Sequence, residues 1–238
     1  MVEVNLGGLS TRSLFMLQIP GVEAPDLSFT AQVAQLWTDG GWVMWPLGLC
    51  ALVGLIVIVW KLVDLTSKAS RTKRFLREAD ELIAQRKIDE ALALARGSNV
   101  PAARILVAGL ERRDEGTERV MKAIENVGLI ELANMERGLV WLATVSNVAP
   151  LLGFLGTVLG MIEAFEAIEF AAEVEATLVA SGIKVALITT AAGLSIAIPI
   201  NVAHNYFVTR VDRLVLDMEE SAQKMVDALH EGEARRTV

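Results

Sequence analysis

The chain has 238 residues, is 53% hydrophobic and carries a formal net charge of −7. Its charged residues, 21% of the total, fall in blocks between long uncharged runs, which excludes an ordinary soluble domain and marks a membrane protein with a substantial polar part. The acid excess argues against nucleic acid as a partner. The lone Cys50 forms no disulfide within the chain, and His204 and His230 lack clustered ligands, so no metal site or cofactor is expected.

Residues 1–41 are expected to lie outside the membrane. Their start lacks the basic stretch of a cleaved signal, and the apolar residues 14–19 are too few for its core. Residues 1–27 read as a tail. In residues 28–37, Phe29, Val33, Leu36 and Trp37 share one helical face, which predicts a short helix on the outer membrane surface.

Residues 42–60 contain no charge and are bracketed by Trp42, Trp45 and Trp60. Nineteen residues at about 1.5 Å each nearly cross the roughly 30 Å hydrocarbon layer, and the tryptophans suit its two interfaces. This first transmembrane element is taken as 42–65.

Residues 66–137 read as helical throughout. Phe75, Leu76, Ala79, Leu82 and Ile83 form one apolar stripe, and Ile88, Ala91, Leu92 and Ala95 another, with a turn between at 85–87. Gly97, Ser98 and Asn99 stop that helix, and Pro101 suits the first turn of the next. Gly116 and Thr117 read as a stop followed by an N-cap. From Glu118 the stripe of Val120, Ile124, Val127, Leu132 and Met135 is expected to run unbroken into the second span.

That span, 138–162, with an extension to 168, is apolar and unusually rich in small residues. Ser146, Pro150, Gly153, Thr157 and Gly160 recur at steps of four, three, four and three, with Gly156 among them. Each helix-interior Gly costs about 1 kcal/mol against Ala and Pro about 3. Such a segment is held helical where no water competes for its backbone, and its small residues let neighbouring helices approach closely. Pro150 has no N–H for the carbonyl of Ser146, leaving an acceptor on the face that carries Thr157.

Residues 169–184 form an acidic loop. Glu163, Glu166, Glu169 and Glu173 share one broad helical face leading into it. The stripe reads either as an electronegative mouth that concentrates cations or as a solvated face. The third span, 185–208, repeats the small-residue pattern: Thr190, Gly193, Ala197 and Asn201 make a narrow stripe, and Pro199 frees the carbonyl of Ser195. Residues 209–238 read as a polar C-terminal helix.

Basic residues follow the first span (Lys61, Lys68, Arg71, Lys73, Arg74, Arg77), precede the second (Arg137) and follow the third (Arg210, Arg213). The positive-inside rule then places the N-terminus and the acidic loop outside, and residues 66–137 and the C-terminus inside. No carboxylate lies within residues 42–60, 138–162 or 185–208. A proton relay needs an ionisable group, so if the chain moves protons a partner must supply the acid. The competing reading of the small-residue stripes is plain helix packing.

The runs APLLGFLGTVLGMIEAF (149–165) and SGIKVALITTAAGLSIAIP (181–199) resemble the two signature helices of the family of ExbB, TolQ and MotA. The three-span layout is similar to ExbB and TolQ rather than to the four-span MotA. The resemblance implies an all-α integral membrane protein of the bacterial inner membrane. It implies a homopentamer whose second and third helices line a pore, around an ExbD-like single-span partner with an essential aspartate. Proton-motive force passing that aspartate would drive a TonB-like energy transducer. The chain would not be an enzyme. The family's pore threonines fall on Thr157 and Thr190, with Ser146 and Asn201 as further polar positions. Pro150, Gly153, Gly156, Gly160, Gly193 and Pro199 would serve packing, and Glu163, Glu166 and Glu169 the outer mouth. The family's glutamate on the third helix falls on Val185. TolQ-like or gliding work is the alternative within the class; a scaffold that conducts nothing is the alternative outside it.

Overall fold

The computed structural model describes residues 29–170 and 176–236. Helix α1 (Phe29–Asp39) forms a unit of its own and exposes Val33, Leu36 and Trp37. The expectations for residues 1–27 and Glu173 lie outside the described residues.

In the second unit, α2 (Met44–Ala84) runs unbroken for 41 residues, roughly 60 Å at helical rise. Its first half is the predicted apolar span and its second half continues as a polar, amphipathic rod. A turn at 85–87 leads to α3 (Ile88–Arg96), and Pro101 opens α4 (Pro101–Leu110), as its fixed φ and missing N–H favour. A 3-10 turn at Arg113–Glu115 precedes α5 (Thr117–Glu136). Thr117 is the first helical residue, and its predicted N-cap place is taken by Gly116 at φ +91°. The last two helices are α6 (Leu139–Phe170) and α7 (Ala176–Arg236), of 32 and 61 residues. They absorb most of the predicted acidic loop 169–184, leaving only 171–175 between them.

The expected continuity of α5 into the second span is corrected by the structure. The chain breaks at Arg137 and Gly138, where Gly138 has φ +95°, a backbone state open to glycine and strained for other residues. Arg137 leaves helical geometry at ψ 124°. A Gly directly after Glu136 and Arg137 was itself the break signal, which the apolar periodicity on either side overrode.

Among the described residues, three helices are long and apolar enough to cross a membrane: α2, α6 and α7. They leave large apolar side chains exposed, among them Leu52, Ile56, Leu151, Phe154, Leu187 and Ile198. A membrane accepts such surfaces where water does not. Beyond the spans, Phe75, Ala79, Ile83, Leu106, Leu110, Val120, Phe207, Val211 and Met225 form a conventional core among α2, α3, α4, α5 and the C-terminal half of α7. Gly109 admits the Met225 side chain where a Cβ would collide. Ser221 Oγ donates to Asp80 Oδ1 at 2.5 Å and Lys224 Nζ approaches Asp80 Oδ2 at 3.4 Å, tying α7 to α2.

Candidate functional site: the small-residue seam and its ends

The seam between α6 and α7 follows from the absence of side chains. A Cβ on Gly153 would lie 2.9 Å from the carbonyl oxygen of Thr189 and 3.2 Å from Cα of Thr190. One on Gly160 would lie 2.8 Å from the Gly182 carbonyl, and one on Gly193 would lie 2.6 Å from that of Ala149. Contacts of this kind put backbone against backbone, the arrangement that holds helices together where the hydrophobic effect supplies no force. Three glycines of the predicted set on α6 (Gly153, Gly156, Gly160) and Gly193 on α7 are thus brought together. Ala149, Ala164, Gly182, Ala186 and Thr189 complete the contact.

Thr189 is the residue that the sequence reading passed over. It is fully buried, its side chain fills the notch at Gly156, and its hydroxyl donates within its own helix, 3.0 Å from the carbonyls of Val185 and Ala186. Of the adjacent pair Thr189 and Thr190, only Thr190 lies on the stripe of small residues used to read α7. The spacing from Gly182 through Ala186 to Thr189 carried the other half of the signal.

Thr190 spans the seam. Its Oγ1 donates to the Gly153 carbonyl at 3.3 Å, joining the two helices directly. Thr157, half-buried, sits one turn along from Gly153 and Gly160, and its hydroxyl donates back to the Phe154 carbonyl at 2.6 Å. The two hydroxyls therefore have separate partners within the chain. Ser146 is buried on the same side of α6 and donates to the Ala143 carbonyl at 3.0 Å. Asn201, about three turns beyond Thr190, is exposed and accepts from Asn205 Nδ2 at 2.9 Å, beside the buried Ile200. Pro150 and Pro199 lie inside unbroken helices. Glu163, Glu166 and Glu169 are exposed along the C-terminal end of α6.

α2 completes the packing. Gly54 receives the side chain of Ile200, with Val145 beside it, and Leu47 packs in a small cluster with Val43, Met44, Ala149 and Ala197. At the other end of the span, Lys61 is fully buried and Nζ donates to the carbonyls of Met135 at 2.6 Å and Arg137 at 2.8 Å. It caps the C-terminus of α5 at the break, where cations are favoured. The Trp60 ring covers Gly138, where a Cβ would lie 2.7 Å from Cζ3.

These features define a multi-pass helical membrane protein built on a backbone-to-backbone seam that carries hydroxyls and no carboxylate. Residues 97–220 match the MotA/TolQ/ExbB proton channel family. An ExbB homolog of Methanothermobacter thermautotrophicus is 32% identical over 205 residues, covering 85% of this chain and 72% of that protein. The biopolymer transport protein ExbB of Salmonella typhimurium is 30% identical over 181 residues, covering 68% and 73%. The Tol-Pal system protein TolQ of Haemophilus influenzae is 37% identical over 116 residues, about half of each chain (49% and 50%). The chain belongs to the MotA/TolQ/ExbB proton channel family.

Proposed function

We propose that this chain is the channel-forming subunit of a proton-driven motor of the bacterial inner membrane, working with an ExbD-like single-span partner to energise TonB-dependent transport. It acts without enzymatic chemistry of its own. The observation that carries this reading is the α6–α7 seam, which holds threonine hydroxyls at membrane depth and has no carboxylate among the residues of the spans. A protonatable partner aspartate supplies what the seam lacks. The N-terminus and the acidic end of α6 face the periplasm, and the basic ends of the spans face the cytoplasm. Five copies surround the partner, their exposed glutamates Glu163, Glu166 and Glu169 forming a negative mouth.

Each proton crossing about 100 mV releases roughly 2.3 kcal/mol, enough for a few protons to bias a packed helix interface between two arrangements. The ExbB relatives align over more than two thirds of their own length and the TolQ relative over half, which favours TonB-type work over a Tol-Pal role.

Proton uptake into vesicles containing this chain with the single-span protein encoded beside it tests the reading. Uptake that disappears when the partner's membrane aspartate is changed to Asn is expected. Vesicles that stay tight with both proteins assembled would leave a scaffold. Native mass spectrometry should report five copies of the chain.

A further inference from the structure

A cavity among the described residues stands apart from the seam. It is an open groove of about 990 Å³ where the cytoplasmic-side ends of the spans meet α5 and the 97–101 turn. Its lining includes Lys61, Lys68, Arg71, Arg74, Arg104 and Arg137 against three acids, Asp64, Glu78 and Glu131.

The acids are already engaged. Asp64 pairs with Lys68 at 2.9 Å, Glu78 with Arg74 at 3.1 Å, and the buried Glu131 with Arg104 at 2.8 Å. Lys61 is spent on two backbone carbonyls. Arg71 and Arg137 remain, both exposed and with no ion pair or side-chain hydrogen bond among the described residues.

Arg137 stands at the boundary of the apolar spans, and Arg71, about 16 Å of helix past Trp60 on α2, reaches toward that level from the polar side. Arg137 lies two residues before the apolar helix α6, and the Trp60 ring, at the end of the uncharged run of α2, forms the groove's rim. That is the depth of phospholipid headgroups. Above the rim, α2 exposes Leu52, Ile56 and Val59, a surface suited to acyl chains.

We propose that this groove is a binding site for an anionic phospholipid, its phosphate held by Arg71 and Arg137 beside Trp60 and its chains laid along α2. Guanidinium forks match phosphate oxygens in pairs, and basic pockets between membrane helices on the basic side select anionic headgroups. The site needs no partner protein and stands apart from the proton path.

The test uses the full chain in detergent, titrated with fluorescent phosphatidylglycerol or phosphatidylcholine, with retained lipid counted by native mass spectrometry. One phosphatidylglycerol per chain is expected, weakened roughly tenfold or more when both Arg71→Gln and Arg137→Gln are present. Arg119→Gln with Lys122→Gln, an equal loss of charge on the far end of α5, should leave it unchanged. Equal retention of phosphatidylcholine, or an equal loss in that control pair, overturns the proposal. So does release of the lipid by stoichiometric inorganic phosphate, which would mark a site for free anions. Dissociation of copies by the Arg71 and Arg137 changes with lipid retention intact would mark the groove as the seat of a neighbouring copy, and the proposal would fall.

Discussion

The side chain of Thr189 occupies the space that Gly156 leaves by having none. A Cβ on Gly156 would lie 2.5 Å from Cβ of Thr189 and 2.9 Å from its Cγ2. Because Thr189 is fully buried and its hydroxyl is bonded within its own helix, it has no free rotamer into which to retreat. The seam between α6 and α7 is therefore set by complementary volume at this pair.

Gly156→Ala is expected to destabilise the detergent-solubilised protein by about 1–3 kcal/mol, the usual cost of overpacking. Thr189→Gly in the same chain removes the atoms that collide and should restore part of the loss despite glycine's own helix penalty. Thermal unfolding followed by loss of monodisperse protein reads both. Additive effects of the two substitutions would show that they do not meet in the folded protein.

How far the fold was legible depended on whether a signal was local. The three spans, the turn at 85–87 and the start of α4 at Pro101 follow from charge-free length and from Pro and Gly chemistry, and the structure has them. The break at Gly138 was visible as a residue but masked by apolar periodicity on both sides. Only the positive φ and the Trp60 ring against it make the break compulsory. In the seam, Gly153, Gly156, Gly160 and Gly193 could be found by spacing. Thr189 and Gly182 could not be assigned without the crossing of the two helices, because which of two adjacent residues faces a neighbour is a tertiary fact. Asn201, at a spacing of four from Ala197, lies exposed beside the buried Ile200.

Lys61 and Gly138 make a second structural prediction. Lys61→Met keeps the stem's packing but leaves the carbonyls of Met135 and Arg137 without their donor. Unsatisfied buried polar groups cost about 1–3 kcal/mol each, so a loss of roughly 2 kcal/mol or more is expected in the same unfolding assay. Gly138→Ala forces a Cβ into a positive-φ position beneath Trp60 and should also destabilise, by about 1–3 kcal/mol. If Lys61→Met unfolds with the parent's midpoint, water caps α5 as well as the ammonium does.

Val185 stands where the family resemblance places a glutamate, and it carries no group that could take up a proton. Val185→Ala should support transport at the parent's rate. Its carbonyl, which accepts from Thr189, is kept by the substitution, so the seam should persist. Normal assembly with lost transport would mean that the valine's bulk positions a neighbouring helix or the partner.

Thr157 and Thr190, which the family resemblance matches to pore threonines, separate packing from proton handling. Thr190 donates to the Gly153 carbonyl across the seam, whereas Thr157 donates only to the Phe154 carbonyl of its own helix. Threonine hydroxyls do not titrate in the physiological range, but each can donate to a partner carboxylate or hold a water beside it. Hydrogen bonds to the charged form of a buried aspartate oppose the rise in pKa that burial imposes, and so keep it able to release a proton. Thr157→Val keeps the shape, and the bond it removes lies within one helix. It should abolish energy transduction while the complex assembles normally, and Thr157→Ser should retain much of the activity. Thr190→Val carries an additional loss, since membrane helix-to-helix hydrogen bonds average about 0.6 kcal/mol. Reduced stability should therefore accompany its loss of transport. Proton uptake and complex stability measured on the same preparations distinguish the two effects. If Thr157→Val and Thr190→Val both transport as well as the parent, the hydroxyls are packing groups and the proton passes elsewhere.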